Sequence, residues 1–215
     1  MSLPPVCPRC LGPLRPPGLW NSSWQCVRHG DVLPYHVAKG SGGHALPTLT
    51  REARVPVWAP RPLPVGWVVS GVAWAGDDRS GPRATVVACT GPSPVGGPGD
   101  LALVAEEPGV GLGARLAGVC GPDPGPPEGP PEAKVEAAGH PTALWSVRGT
   151  PDDRAASFGE ARGVWLWAVL WPASAALLLV EHLVLHDLRD GVYADVDLVF
   201  GAPSPYLGVP PPDTP

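Results

Sequence analysis

Two short clusters near the start of the chain constrain it more than any other feature. Cys7-Pro8-Arg9-Cys10 and Cys26-Val27-Arg28-His29 each place two metal-binding side chains at i and i+3, with fifteen residues between Cys10 and Cys26. A pair at that spacing brings both side chains to one side of a tight turn. Pro8 presets the first turn, and Gly30 can take a positive φ just after the second. Two such pairs supply the four donors of a closed tetrahedral site. Zn²⁺ prefers that set of thiolates and imidazoles.

The spacing of Cys7, Cys10, Cys26 and His29 resembles that of a zinc ribbon, and it predicts a small module over residues 1–38. A closed four-ligand site leaves no position for a reacting water, so the expected ion is structural Zn²⁺. About 35 residues bury too little apolar surface to fold alone, so metal binding must supply much of the folding free energy. The intervening stretch can run out and back as a hairpin, with Trp20 and Trp24 covering the metal. His36 and His44 are taken as ordinary surface residues, and Cys89 and Cys120 as buried small side chains.

Charge divides the chain. Residues 1–62 carry seven basic and two acidic groups, whereas 63–215 carry eight basic and eighteen acidic. An acidic body argues against nucleic-acid binding there. It leaves nucleic-acid contact through Arg9, Arg15 and Arg28 open, or contact with an acidic protein partner. The opening "MSLPPVCPRC" has neither the basic nor the apolar region of a signal peptide, so a cytoplasmic location is expected.

Pro (32) and Gly (28) are abundant without a repeat period, which predicts ordered islands joined by Pro/Gly connectors. Residues 39–62 are expected to form a flexible, then Pro-rich linker, 121–133 a Pro-rich solvated loop, and 201–215 a disordered tail. Between them, 63–190 is predicted to be an α+β domain. Its β-branched runs at 66–76 and 83–91 flank the turn "DDRSG", and strands are expected at 100–107 and 142–149. A short helix is expected at 111–119. Val164 to Val180 is seventeen residues without a charge, near the length that spans a bilayer. Trp165, Trp167 and Trp171 at even spacing, with Pro172 breaking the run, favour a buried strand over 164–171 instead. An amphipathic helix over 174–189 then follows, its stripe formed by Leu177, Val180, Val184 and Leu188. The predicted fold is therefore a zinc ribbon followed by a mainly antiparallel sheet with one or two helices on one face, without a membrane span.

Three further groups are chemical candidates. The stretch "PGVGLGARLAG" follows a strand and opens a helix, so Gly109, Gly111, Gly113 and Arg115 could cradle an anion. Its spacing matches neither of the common phosphate-loop patterns. Asp77 and Asp78, with Arg79 at a hairpin, could bind a cation or act as paired carboxylates, although a turn alone explains these residues. His182, His186 and Asp190 stand four apart and could share a second metal on a helix face; the order of Glu181 and His182 is not that of H-E-x-x-H.

These motifs resemble a family of uncharacterised actinobacterial proteins, through "CPRC", "CVRHG", "VPVWAPRPLPVGW", "GVAWAGDDRSGPRAT", "VAEEPGVGLGARLAG" and "GVWLWAVLWP…LVLHDLRD". The resemblance covers most of 1–190. Some members bear a phosphotransacetylase-like label, but this chain is short for that enzyme and has no acyl-phosphate site. The function expected is a non-catalytic interaction or regulatory protein with a protein partner. The alternative is an enzyme or sensor binding an anionic small molecule at the Gly109–Arg115 loop.

Overall fold

The computed structural model describes residues 4–19, 21–181, 183–191 and 198–208. Strands β1 (Leu14–Arg15), β2 (Gln25–Cys26) and β3 (Gly30–Asp31) form a small antiparallel sheet beside the two cysteine clusters. The remaining strands are β4 (Tyr35–Val37), β5 (Trp58–Pro60), β6 (Val68–Asp77), β7 (Gly81–Pro92), β8 (Pro98–Glu106), β9 (Ala133–Ala137), β10 (His140–Ser146), β11 (Ala155–Ala161), β12 (Val164–Trp171) and β13 (Val184–Asp187). They make one ten-stranded sheet in the order β4-β6-β7-β8-β12-β11-β10-β9-β13-β5. Neighbours are antiparallel except β9 and β13, which run parallel. Two short helices, α1 (Leu46–Glu52) and α2 (Leu112–Ala117), and a 3-10 helix over Ala173–Val180 complete the architecture.

The central strands are buried on both faces, which explains their continuous apolar runs. On β8 and β12, Leu101, Leu103, Leu166 and Leu170 face one core; Ala102, Val104, Trp167 and Val169 face the other. The sheet curls until β5 lies over β7 and β8. There the Thr85 hydroxyl donates to the Pro56 carbonyl at 2.5 Å. Trp167 and Trp171 share a face as the even spacing requires, with Trp165 packed alongside.

Several expectations change. The helices are divided between the faces rather than gathered on one: Leu46 and Leu49 of α1 join the core that β5 closes, while Leu112 and Leu116 of α2 join the other. Residues 39–62, expected as a linker, contain α1 and β5, because Leu49, Val57 and Trp58 are needed to close the interior. Pro47 costs nothing in the first turn of α1, where its missing N–H had no partner. The helix expected at 174–189 is instead a 3-10 helix and strand β13. Of the expected stripe, Leu177 and Val180 are 50% and 71% exposed and only Leu188 is buried, whereas Asp187 points inward. Residues 201–208, expected within the disordered tail, lie ordered on the sheet. Gly201 N donates to Val69 O, Ser204 N donates to Ser70 O, and Leu207 is buried beneath the Tyr35 hydroxyl, which donates to its carbonyl. Cys89 is buried as expected, but Cys120 is exposed. Among the described residues no helix is long and apolar enough to cross a membrane.

Candidate metal centre

The two clusters fold as paired turns. In the first, Leu11 N donates to Cys7 O and Cys7 N donates to Gly12 O, both at 2.9 Å, while Leu11 takes a φ of 58°. The second is the β2–β3 turn, closed by Gly30 at φ 66° with Cys26 opposite it in register. Leu14 of β1 faces Cys26 from the other side. Backbone pairing of the small sheet thus brings ligands sixteen residues apart in sequence to one point.

Their donor atoms all lie within 4.8 Å of one another. Cys7 Sγ is 3.5 Å and Cys26 Sγ 3.6 Å from His29 Nδ1, and Cys10 Sγ is 3.7 Å from Cys26 Sγ. A disulfide needs about 2.05 Å, so the sulfurs are not bonded to each other. A tetrahedron with zinc–sulfur bonds of about 2.3 Å has edges of about 3.8 Å, slightly shorter where nitrogen replaces sulfur. The arrangement is compatible with a metal site.

The surroundings differentiate the thiols. Burial pushes Cys7 up to about 12. At Cys26 burial acts the same way, but the Arg28 and His29 amides and the His29 ring outweigh it and bring the thiol down to about 6. A bound cation favours the thiolate form of every ligand. Trp24 is half-buried beside the cluster, and Trp20 lies outside the described residues.

The first turn is bolted to the rest of the chain through the Gly-rich loop. Arg9 Nε donates to Val110 O at 3.1 Å and its Nη2 to Gly109 O. In return, Arg115 Nε donates to Pro8 O at 2.7 Å, its guanidinium lying 4.8 Å from the Tyr35 ring centroid. The free amides at the start of α2 are also taken: Leu112 N and Gly113 N donate to the Glu106 carboxylate at 2.7 and 3.1 Å. Glu106 is fully buried, and burial pushes its pKa up to about 8 despite those amides. Gly109 N donates to Asp123 Oδ1 at 2.8 Å. Gly109, Gly111, Gly113 and Arg115 are thus brought together, but with partners from this same chain.

Of the three arginines expected at a nucleic-acid surface, Arg15 and Arg28 are exposed and Arg9 is engaged. Asp77 caps its own turn, accepting from Arg79 N, Ser80 N and Ser80 Oγ. His182 lies outside the described residues, and the other two members of that trio are not gathered on a helix. His186 lies in β13 opposite Ala59, while Asp190 accepts two bonds from Arg162 at 2.7 and 2.9 Å. His44 is exposed as expected, but His36 is half-buried and stacked on Trp74 at 5.5 Å.

Two buried carboxylates escaped the sequence reading. Glu106 ends an apolar strand, which is the only local signal. Asp187, also fully buried, accepts from Val57 N, from the Arg189 backbone and guanidinium, and from Arg162. Arg189 is two residues on, but Val57 and Arg162 stand 130 and 25 residues away, so no motif marks the cluster. No curated protein and no solved structure matches the chain. Its motifs, from the Cys/His pairs to the ordered stretch ending near Leu207, fall inside one match over residues 1–207, and the chain belongs to a family of unknown function, DUF6758.

Proposed function

We propose that Cys7, Cys10, Cys26 and His29 hold one structural Zn²⁺ in a ribbon-like module, and that the protein acts by binding a protein partner, without catalysis of its own. The observation that carries the metal reading is the set of 3.5–3.7 Å donor separations, which match tetrahedron edges and not covalent bonds. Free cysteines in such a cluster suit a reducing, cytoplasmic setting. The partner surface is formed by the exposed side chains of the module. There Leu19 and Val27 are 99% and 85% exposed, with Arg15 and Arg28 exposed on the same module, a pairing that suits a partner with an acidic rim around an apolar centre. The Gly109–Arg115 loop supports the joint between module and sheet, since Arg9, Glu106 and Asp123 engage its backbone at Gly109, Val110, Leu112 and Gly113.

Elemental analysis of the purified full chain tests the metal. One zinc per chain is expected, lost on Cys26→Ser. Absence of stoichiometric zinc, with all three thiols freely titrating in the native protein, rejects it.

A further inference from the structure

We propose that the cleft between α1 and the β6–β7 turn binds a phosphate carried on a planar heterocycle, a ligand of the nucleoside monophosphate class. This site goes beyond the metal reading and shares no ligand residue with it. The cleft measures about 730 Å³, inside the range of about 300–1,000 Å³ typical of small-molecule sites.

Its floor is aromatic. The rings of His36 and Trp74 stack at 5.5 Å and 20°, both line the cleft, and both are half-buried. His36 is held by its Nε2 against the Gly76 carbonyl at 3.2 Å. A flat ring entering the cleft extends an existing stack, and stacking of a base on an aromatic face tolerates any base. Burial also keeps the imidazole on the neutral side of its ordinary range, which favours stacking over charge repulsion with neighbouring guanidinium groups.

Its walls are cationic where it matters. Arg51 and Arg54 come from the end of α1 and the residues after it, and Arg79 from the β6–β7 turn. Arg51 pairs with Glu52 at 3.3 Å. Among the described residues neither Arg54 nor Arg79 makes an ion pair within 4 Å, although Arg79 acts on Asp77 through space; Arg79 Nη1 donates to Ser22 O at 3.5 Å. Of the acids in the lining, Asp77 accepts from the backbone and hydroxyl of its own turn. Arg54 and Arg79 thus line a cleft whose acids are Glu52, engaged by Arg51, Asp77, engaged by its own turn, and Asp78; guanidinium is the side chain best shaped for a phosphate. Asp78 stays available to accept from ring N–H or amino groups. An aromatic floor with unpaired arginines and one acceptor recognises a base and its phosphate together.

Isothermal titration of the full chain with AMP, GMP, CMP and UMP tests this, with adenosine and inorganic phosphate as separate arms. At least one nucleotide should bind saturably, and adenosine and phosphate roughly tenfold or more weakly. The double variant Arg54→Ala/Arg79→Ala should weaken binding roughly tenfold or more, and His36→Ala by several-fold, with circular dichroism and metal content unchanged. No saturable binding up to millimolar nucleotide overturns the proposal, as does wild-type affinity in the double variant. Equal affinity for phosphate and nucleotide overturns the heterocycle. Metal content read on the same samples separates failure here from failure of the zinc site.

Discussion

Replacing Asp187 by Asn tests how the sheet edge is held. The Asp187 carboxylate is fully buried and joins three parts of the chain. Its Oδ1 accepts from Val57 N and Arg189 N at 3.1 Å and from Arg189 Nε at 3.0 Å. Its Oδ2 accepts from Arg162 Nη1 at 2.8 Å and Arg189 Nη2 at 2.7 Å. These bonds fasten β13 to the segment before β5 and to the β11–β12 turn, where Arg162 stands at φ 55°. Asn keeps one acceptor but turns an NH₂ group toward two guanidinium groups. Removing one partner of a buried ion pair costs about 3–5 kcal/mol. The lower end applies, because Arg162 and Arg189 side chains are 37% and 23% exposed and Arg162 keeps Asp190. About 3 kcal/mol lowers Tm by about 6–12 °C for a chain of this size, and the urea midpoint by about 1–1.5 M at an m value of about 2 kcal/mol/M. The pH dependence gives a second readout. Burial alone raises this carboxyl, but Arg189 and the Val57 and Arg189 amides bring it below the usual Asp range. In the acid range the unfolded chain then binds the proton first, so this stabilisation is present above the unfolded pKa of about 3.9 and is lost as pH falls through the folded value. The midpoint difference between wild type and Asp187→Asn should be largest at pH 7 and shrink toward pH 3. A difference under about 0.3 M at pH 7, or one that does not change with pH, refutes the argument.

Three other outcomes are expected. Gly113→Ala places a Cβ 2.4 Å from the Trp167 indole, which cannot move within a packed core, so it should cost about 1–3 kcal/mol or more in urea unfolding and leave zinc content intact. Leu207→Ala should cost about 2–4 kcal/mol by the same measurement, since the side chain is 1% exposed although it stands eight residues from the end of the chain. Chelation with a strong zinc ligand should raise amide hydrogen exchange both in residues 6–31 and at Gly109–Arg115, because Arg9 and Arg115 tie the two together; exchange confined to the first region contradicts that tie.

The parts that sequence made legible are those whose causes are local. The run Val164–Trp171 forms β12 over the predicted residues, because even-spaced tryptophans and continuous apolar character have one good solution in a sheet buried on both faces. The turn at Asp77–Ser80 was legible because Asp77 bonds to residues two and three ahead. The gathering of Cys7, Cys10, Cys26 and His29 was legible because each pair stands at i and i+3 across a tight turn. The misread parts depend on distant partners. Val184–Asp187 matches a helical period by coincidence, and becomes a strand because Ala59 and Pro60 pair with it from more than a hundred residues away. Residues 39–62 have a linker's composition, yet Leu49 and Trp58 complete a core whose other walls come from β7 and β8. Arg9 has the charge of a phosphate contact, but two backbone carbonyls of the Gly-rich loop claim it.

The same Gly-rich loop links these readings physically. A helix start exposes amides that attract an anion, which is why 108–118 resembles a phosphate loop on sequence grounds. Here the preceding strand ends on Glu106, whose carboxylate reaches forward to Leu112 N and Gly113 N and closes that opening from within. The loop's carbonyls at Gly109 and Val110 are then left outward, and Arg9 takes them from between Cys7 and Cys10. Arg115, one turn into α2, returns the contact to Pro8, also between those two cysteines. The bonds therefore run both ways across the joint, and each needs the Cys7–Cys10 turn held in one conformation. If the proposed ion fixes that turn, it should order α2 as well as the N-terminal module, and metal affinity and the packing of α2 on the sheet would be one linked equilibrium.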